Sequence, residues 1–348
     1  METFWLVSRA DISYKVDMQE AEEMVKRNNY WQMPRRPGDP KQSTTTKVRP
    51  IYTPPICSGR HRSTSTAPAA ILVFGGLYRE STVVSKLDLK TNVGSVVGIM
   101  PRRSRIVAGA LNGEVAIAGG RYRFSAGPML YKKGRFEFLL THGGLRDHLV
   151  TYPSNKAGAV VGKEFYACGG VSINVYDSFT DHCNAYSFRD GTWSEGFAAP
   201  LHLSNAAGVG VGDNALYLIG GGRGRRFLDT VFKYDVQHKS WASMAPLPAK
   251  RGSAGAVAVQ LASGSAGVLV CGGVYRFSRK KECYLYDVEK NAWTDYEHAL
   301  PKASAVQLVG CAGAVYAIGD RTPVLKLEED GWRQLHEYTN SQFAAVCM

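Results

Sequence analysis

The sequence predicts an all-β fold: a six-bladed β-propeller closed by the C-terminal strand, preceded by a short helical N-terminal leader. Three observations predict it. The first is a recurring strand ending in which an apolar run meets two glycines: AILVFGG, EVAIAGG, EFYACGG, ALYLIGG, GVLVCGG and AVYAIGD, the last with Asp320 in place of the second glycine. The first glycines stand at 75, 119, 169, 220, 272 and 319, so the endings recur every 44 to 52 residues, the period of a four-stranded blade. The second is an independent phase, because Tyr186, Tyr234 and Tyr286 each precede a tryptophan (Trp193, Trp241, Trp293) by seven residues. The third lies at the ends of the array. Blade 1 begins at its second strand, while SQFAAVCM at 341–348 reads as an inner strand with no blade of its own. The last strand is expected to complete blade 1 and leave no sheet edge exposed.

Taken in order, residues 1–40 form the leader and do not repeat. Asp17 to Trp31 has helical spacing, with Met18, Ala21 and Val25 on one side and Glu20, Glu22, Glu23, Lys26 and Arg27 on the other, and it stops before Pro34. Residues 41–68, rich in Ser, Thr, Pro and basic side chains, read as a flexible linker. The propeller occupies 69–348. Inner strands crowd a narrow axis and need small side chains, which AGAVVG (157–162), AAGVGVG (206–212) and SAGAVAV (253–259) supply. The paired glycines let a strand end turn where a Cβ would collide. The Tyr and Trp of the outer strands fill the wedge between sheets, each burying about 150 to 250 Å². At that aromatic pair the other blades are expected to carry Leu87 with Gly94, Tyr131 with Phe138, and Leu325 with Trp332.

These motifs resemble the kelch repeat family from Ala69 to the C-terminus. The segment EAEEMVKRNNYWQMPRRPGD (20–39) resembles the end of the helical BACK domain that precedes the propeller in BTB-kelch proteins. On that resemblance the chain is a kelch-like protein lacking the BTB domain and most of BACK, the parts that carry dimerisation and cullin docking in the family.

The 348 residues are 45% apolar, but no apolar run approaches eighteen residues and the N-terminal FWLV is too short for a signal-peptide core. The expectation is a cytoplasmic protein with no membrane partner. The seven cysteines (57, 168, 183, 271, 283, 311, 347) are odd in number and lack Cys-x-x-Cys spacing, which suggests neither a disulfide framework nor a zinc site. Cys168 and Cys271 hold the place of Phe74, Ala118, Ile219 and Ile318 in other blades, and are expected to be small core hydrophobes in a reducing compartment.

In an antiparallel blade the loop after the second strand and the loop before the first emerge at the same end. After the glycines the chain reads Tyr78-Arg79, Arg121-Tyr122-Arg123, Arg223 with Arg225 and Arg226, Tyr275-Arg276-Phe277 and, in blade 6, Arg321. The loops before inner strands add Arg102, Arg103, Arg105, Lys250, Arg251 and Lys302. Of the net charge of +12, the leader and linker hold +4 and the propeller +8, so it is placement rather than total charge that matters. Blade 3 breaks the arc, since its loop 171–183 has Asp177 and Asp181 and no basic residue. Guanidinium groups pair bidentately with carboxylate or phosphate, and aromatics add contact area. In kelch-like adaptors the residues after the double glycine and at the start of the inner strand form the substrate pocket, and the resemblance puts Arg79, Arg121, Arg123, Arg223, Arg276 and Arg105 there. The predicted partner is therefore a protein with an acidic or phosphorylated segment. The resemblance further implies a substrate-adaptor setting for a ubiquitin ligase, with a full-length BTB-kelch relative as a second partner; a cytoskeletal, actin-binding role and a host-directed viral role are its alternatives.

Two other classes are weaker. A basic face with aromatics is also the footprint of nucleic-acid binding, but no nucleic-acid fold or motif accompanies it. Some kelch propellers are copper oxidases or sugar mutarotases, yet His142, His148 and His182 show no ligand spacing, no nucleophile-and-base constellation stands out, and Gly220-Gly221-Gly222 lacks the Lys and helix of a phosphate loop. The expectation is no enzyme, no cofactor and no metal.

Overall fold

The structure is a computed structural model that describes residues 4–5, 15–16, 69–75, 82–101, 104–121, 128–138, 157–171, 179–194, 196–223, 226–319, 322–336 and 343–348. Its described part is all-β and is a six-bladed propeller. Each blade is an antiparallel sheet running from an inner strand at the axis to an outer strand at the rim, as in blade 4: Ala207–Val211, Ala215–Ile219, Val231–Asp235 and Ser240–Met244. Blade 2 starts at Ser104–Leu111, blade 3 at Ala157–Val161, blade 5 at Gly255–Gln260 and blade 6 at Val306–Cys311. In blade 1 the innermost strand is Ala344–Cys347, laid antiparallel on Ala70–Phe74 with Phe74 opposite Ala344 and Ile71 opposite Cys347.

Burial follows from this stacking. The second strands AILVF and ALYLI are buried at every position, because each lies between the sheets on both sides. Inner strands alternate, with Ala207, Val209 and Val211 buried and the intervening glycines half-buried against the backbone of the blade 3 inner strand. A Cβ on Gly210 would run into the Val160 carbonyl of blade 3, so the axis admits no side chain there.

The aromatic phase becomes a cross-strand pair. Tyr186, Tyr234 and Tyr286 sit opposite Trp193, Trp241 and Trp293, with ring centroids 5.5, 4.9 and 4.8 Å apart. Three indoles also reach the preceding blade: Trp241 Nε1 donates to the Ala198 carbonyl, Trp293 Nε1 to Ala245 and Trp332 Nε1 to His298, at 2.8 to 3.0 Å. The seven-residue spacing depends on a four-residue turn, opened by an aspartate in blades 1, 4 and 5 and by Ser187 in blade 3. Asp88 and Asp235 accept backbone N–H bonds from the turn, which hold their carboxyl groups below the usual range; the Asp287 carboxyl accepts them too but is lowered first by the Lys290 ammonium, 2.9 Å away.

Blades 2 and 6 correct the expected pairs. Their hairpins turn in two residues, so Tyr131 faces Phe136 rather than Phe138, and Trp332 faces Leu327 rather than Leu325. Lys133 and Gly134, both at positive φ, make the tight turn in blade 2. Leu87 does face Gly94, as expected.

The cysteine expectation is also corrected, since among the described residues three disulfides join Cys168 to Cys183, Cys271 to Cys283 and Cys311 to Cys347. In blades 3 and 5 the pair ends the second strand and opens the third, so the hairpin register sets the two residues opposite one another. Spacings of 15 and 12 residues conceal this until the blade is folded. Paired in this way, these six cysteines no longer speak for a reducing compartment.

The helical spacing at 17–31 and the linker 41–68 lie outside the described residues. What the leader does contribute is a short ladder that the spacing did not suggest, Phe4 opposite Val16 and Trp5 opposite Lys15.

Candidate partner-binding face

The double glycines fix this face. Gly220 sits at φ 63°, and a Cβ there would stand 2.5 Å from the Arg251 carbonyl, because the chain entering blade 5 crosses at this point. That carbonyl accepts from Gly221 N–H at 2.8 Å; Leu203 accepts likewise from Gly170 at 2.7 Å and Ser304 from Gly273 at 2.8 Å. Leu203, Arg251 and Ser304 thus occupy one structural place in three successive blades.

One residue further on, the chain is tied to the loop that leaves the second strand: Ser204 exchanges two backbone bonds with Gly222, and Gly252 two with Val274. Past these ties each loop folds into a short hairpin. Gly222–Arg223 pairs with Arg226–Phe227 in blade 4, and Val274–Tyr275 with Ser278–Arg279 in blade 5. The hairpins touch, with the Phe227 and Tyr275 rings edge to face at 5.8 Å, and form one platform. Arg223, Arg226, Arg276 and Arg279 are exposed on it. Arg276, left-handed at φ 55°, turns the blade 5 hairpin and lays its guanidinium 5.3 Å from the Tyr275 ring centroid. Phe277 at the tip is 106% exposed.

Arg251 is a correction. Its side chain is 1% exposed and is not part of the surface. Nη1 donates to the carbonyls of Gly272 (3.0 Å) and Glu282 (3.1 Å), Nη2 lies 3.9 Å from the Glu282 carboxylate, and the guanidinium sits 4.5 Å from the centre of the Tyr284 ring. Burial lowers its pKa, while Tyr284 and Glu282 act against that. With its own carbonyl on Gly221 and its side chain on Gly272, Arg251 rivets blade 4 to blade 5. A loop arginine next to Lys250 looks like surface charge in sequence, but its place is the one that Leu203 and Ser304 also fill, each 1% exposed.

Arg105 takes the left-handed place (φ 60°) held in blades 4 and 5 by Asn205 and Ser253, whose backbones bond to each other at 2.7 Å. Arg121 pairs with Ser104 as the counterpart of Gly222 and Val274. Tyr78, Arg79, Arg102, Arg103, Tyr122, Arg123, Arg225 and Arg321 lie outside the described residues, as do His142, His148 and Asp177. In blade 3 Asp181 lies 3.7 Å from His202 Nε2, so an acidic residue does mark that sector. The structure thus gathers Arg223, Arg226, Tyr275, Arg276 and Phe277 on one platform. It adds Phe227 and Arg279, which the sequence reading passed over; the signal was there, since each closes a two-residue hairpin opposite a residue that follows the glycines.

Comparison with known proteins bears on the repeat itself. Residues 205–248, which span blade 4, match the kelch motif. The chain is similar to Kelch-like protein 40 of Mus musculus, 26% identical over 155 residues that make up 44% of this chain and 24% of that protein. Kelch-like protein 40 of Xenopus laevis, at 25%, and Kelch-like protein 41b of Danio rerio, at 26%, match over the same shares. The chain spans about a quarter of the length of the curated relatives it matches.

Proposed function

On the premise that this chain is a kelch-repeat propeller, we propose that it works as a protein-interaction module taking an acidic or phosphorylated segment of its partner on the platform of blades 4 and 5. The observation that carries the reading is Phe277, fully exposed among the exposed guanidinium groups of two touching hairpins. An aromatic ring set among exposed guanidinium groups is the composition that interface hot spots favour. The arginines around it favour an anionic partner, each charge-assisted hydrogen bond contributing roughly 1.5 to 3 kcal/mol once water is excluded. The kelch-like names of the relatives support a protein-interaction role, and an adaptor setting in which the propeller selects the substrate is the form of it we infer. We further infer that the terminal strand Ala344–Cys347, by joining blade 1, closes the ring.

The test is charge reversal of Arg223, Arg226 and Arg276 to Glu, with binding to acidic and phosphoserine peptides read by fluorescence anisotropy. Loss of affinity of about 100-fold at an unchanged melting temperature is expected. Equal affinity in parent and variant would overturn the reading.

A further inference from the structure

We propose that the Cys311–Cys347 pair is a redox modification site that locks the ring where its wedge aromatic is missing. The proposal rests on the reading of the terminal strand as the ring's closure. Each indole bond described above runs from one blade to the blade before it. In blade 1 the place of the tryptophan is held by Gly94, opposite Leu87, so among the described residues the joint between blades 1 and 6 has no indole. Blade 6 instead grips the terminal strand with side chains of its own inner strand. At one end the Gln307 amide acts as a stand-in strand: Nε2 donates to the Phe343 carbonyl at 2.6 Å, and Oε1 accepts from Ala345 N–H at 2.8 Å. At the other end Cys311 is bonded to Cys347. The other two disulfides lie within single blades, between the second and third strands, whereas this one joins two blades and closes a loop of 36 residues.

The chemistry is thiol–disulfide exchange with a low-molecular-weight disulfide, RSSR. Cys347 is half-buried and Cys311 is 2% exposed, so Cys347 is the entry point. Its thiolate attacks one sulfur of RSSR and releases RS⁻, forming a mixed disulfide. The Cys311 thiolate then attacks the Cys347 sulfur and releases the second RS⁻. Both cysteine protons end on the two RSH formed, which also carry the two electrons the protein has lost. A dithiol reverses the sequence and opens the lock.

The experiment uses the full chain. Non-reducing digestion with mass spectrometry reads the bond, and hydrogen exchange of 344–347 is followed with and without a dithiol. A Cys311–Cys347 crosslinked peptide is expected, together with exchange of the terminal strand that rises about 100-fold on reduction. A C311S/C347S variant, which keeps the other two disulfides, should show the fast exchange without reductant. If that variant does not fold, the reduced parent carries the test alone. Slow exchange in both redox states overturns the lock and leaves the closure standing; fast exchange in both overturns the closure as well. Absence of the crosslinked peptide from the untreated chain, even after incubation with an oxidised low-molecular-weight thiol, also overturns the proposal.

Discussion

The joint between blades 4 and 5 and the joint between blades 6 and 1 solve one packing problem with different parts. The first has the regular outfit: Trp293 tilted against Tyr286 with ring centroids 4.8 Å apart and bonded back to Ala245, Tyr217 edge to face with Tyr286, and Arg251 tying the two glycine pairs together. The second has Gly94 where the indole should be, and holds with a glutamine amide and a cystine. A wedge between two sheets has to be filled or fastened. A repeat can lose its aromatic wherever another device does the fastening, and the seam where the terminal strand lies on Ala70–Phe74 is where this one has done so.

The comparison can be broken at several points. Deleting 341–348 should have the largest effect: blade 1 loses its inner strand, and loss of a single cooperative melting transition is expected, whereas a truncated chain that melts like the parent would refute the closure. Trp293→Ala should cost about 3 to 5 kcal/mol in chemical denaturation, and a loss below about 1 kcal/mol would show that the wedge is not what holds blades 4 and 5. Removing the seam cystine should cost a similar amount, about 4 kcal/mol from loop entropy alone. Arg251→Met should come next, at roughly 2 to 3 kcal/mol, because the carbonyls of Gly272 and Glu282 lose their shared donor.

The smallest effect is a dependence on alkaline pH. Burial raises the hydroxyls of Tyr217, Tyr286 and Tyr296 from 10.0 to about 12, so folding favours their protonated forms. The stability this contributes is whole below pH 10 and is lost as pH rises towards about 12. Tyrosinate absorbance from these residues should therefore appear together with unfolding in that window. Its appearance in a folded chain near pH 10 would contradict their burial.

Much of the fold was legible because a propeller writes itself six times. The glycine pairs, the small inner strands and the Tyr–Trp spacing each recur, so one blade corrects the reading of the next. What could not be read was whatever depended on local departures from the repeat. The aromatic pairs of blades 2 and 6 were misplaced because a two-residue turn replaces a four-residue one. The cystines were missed because their partners become neighbours only across a folded hairpin or a blade joint. At the face, residue type located the arginines but could not separate Arg251 from Arg223. The direction of a side chain at that crossing is set by strand register and not by its charge.

That separation is also the sharpest test. Melting temperature and acidic-peptide affinity should be measured side by side for Arg251→Met and for the Arg223, Arg226 and Arg276 to Glu variant. The account predicts a crossed result: the first variant melts lower and its folded fraction binds as the parent does, while the second melts with the parent and does not bind. A triple variant that binds acidic peptides as tightly as the parent, or an Arg251→Met protein of unchanged stability, would contradict it.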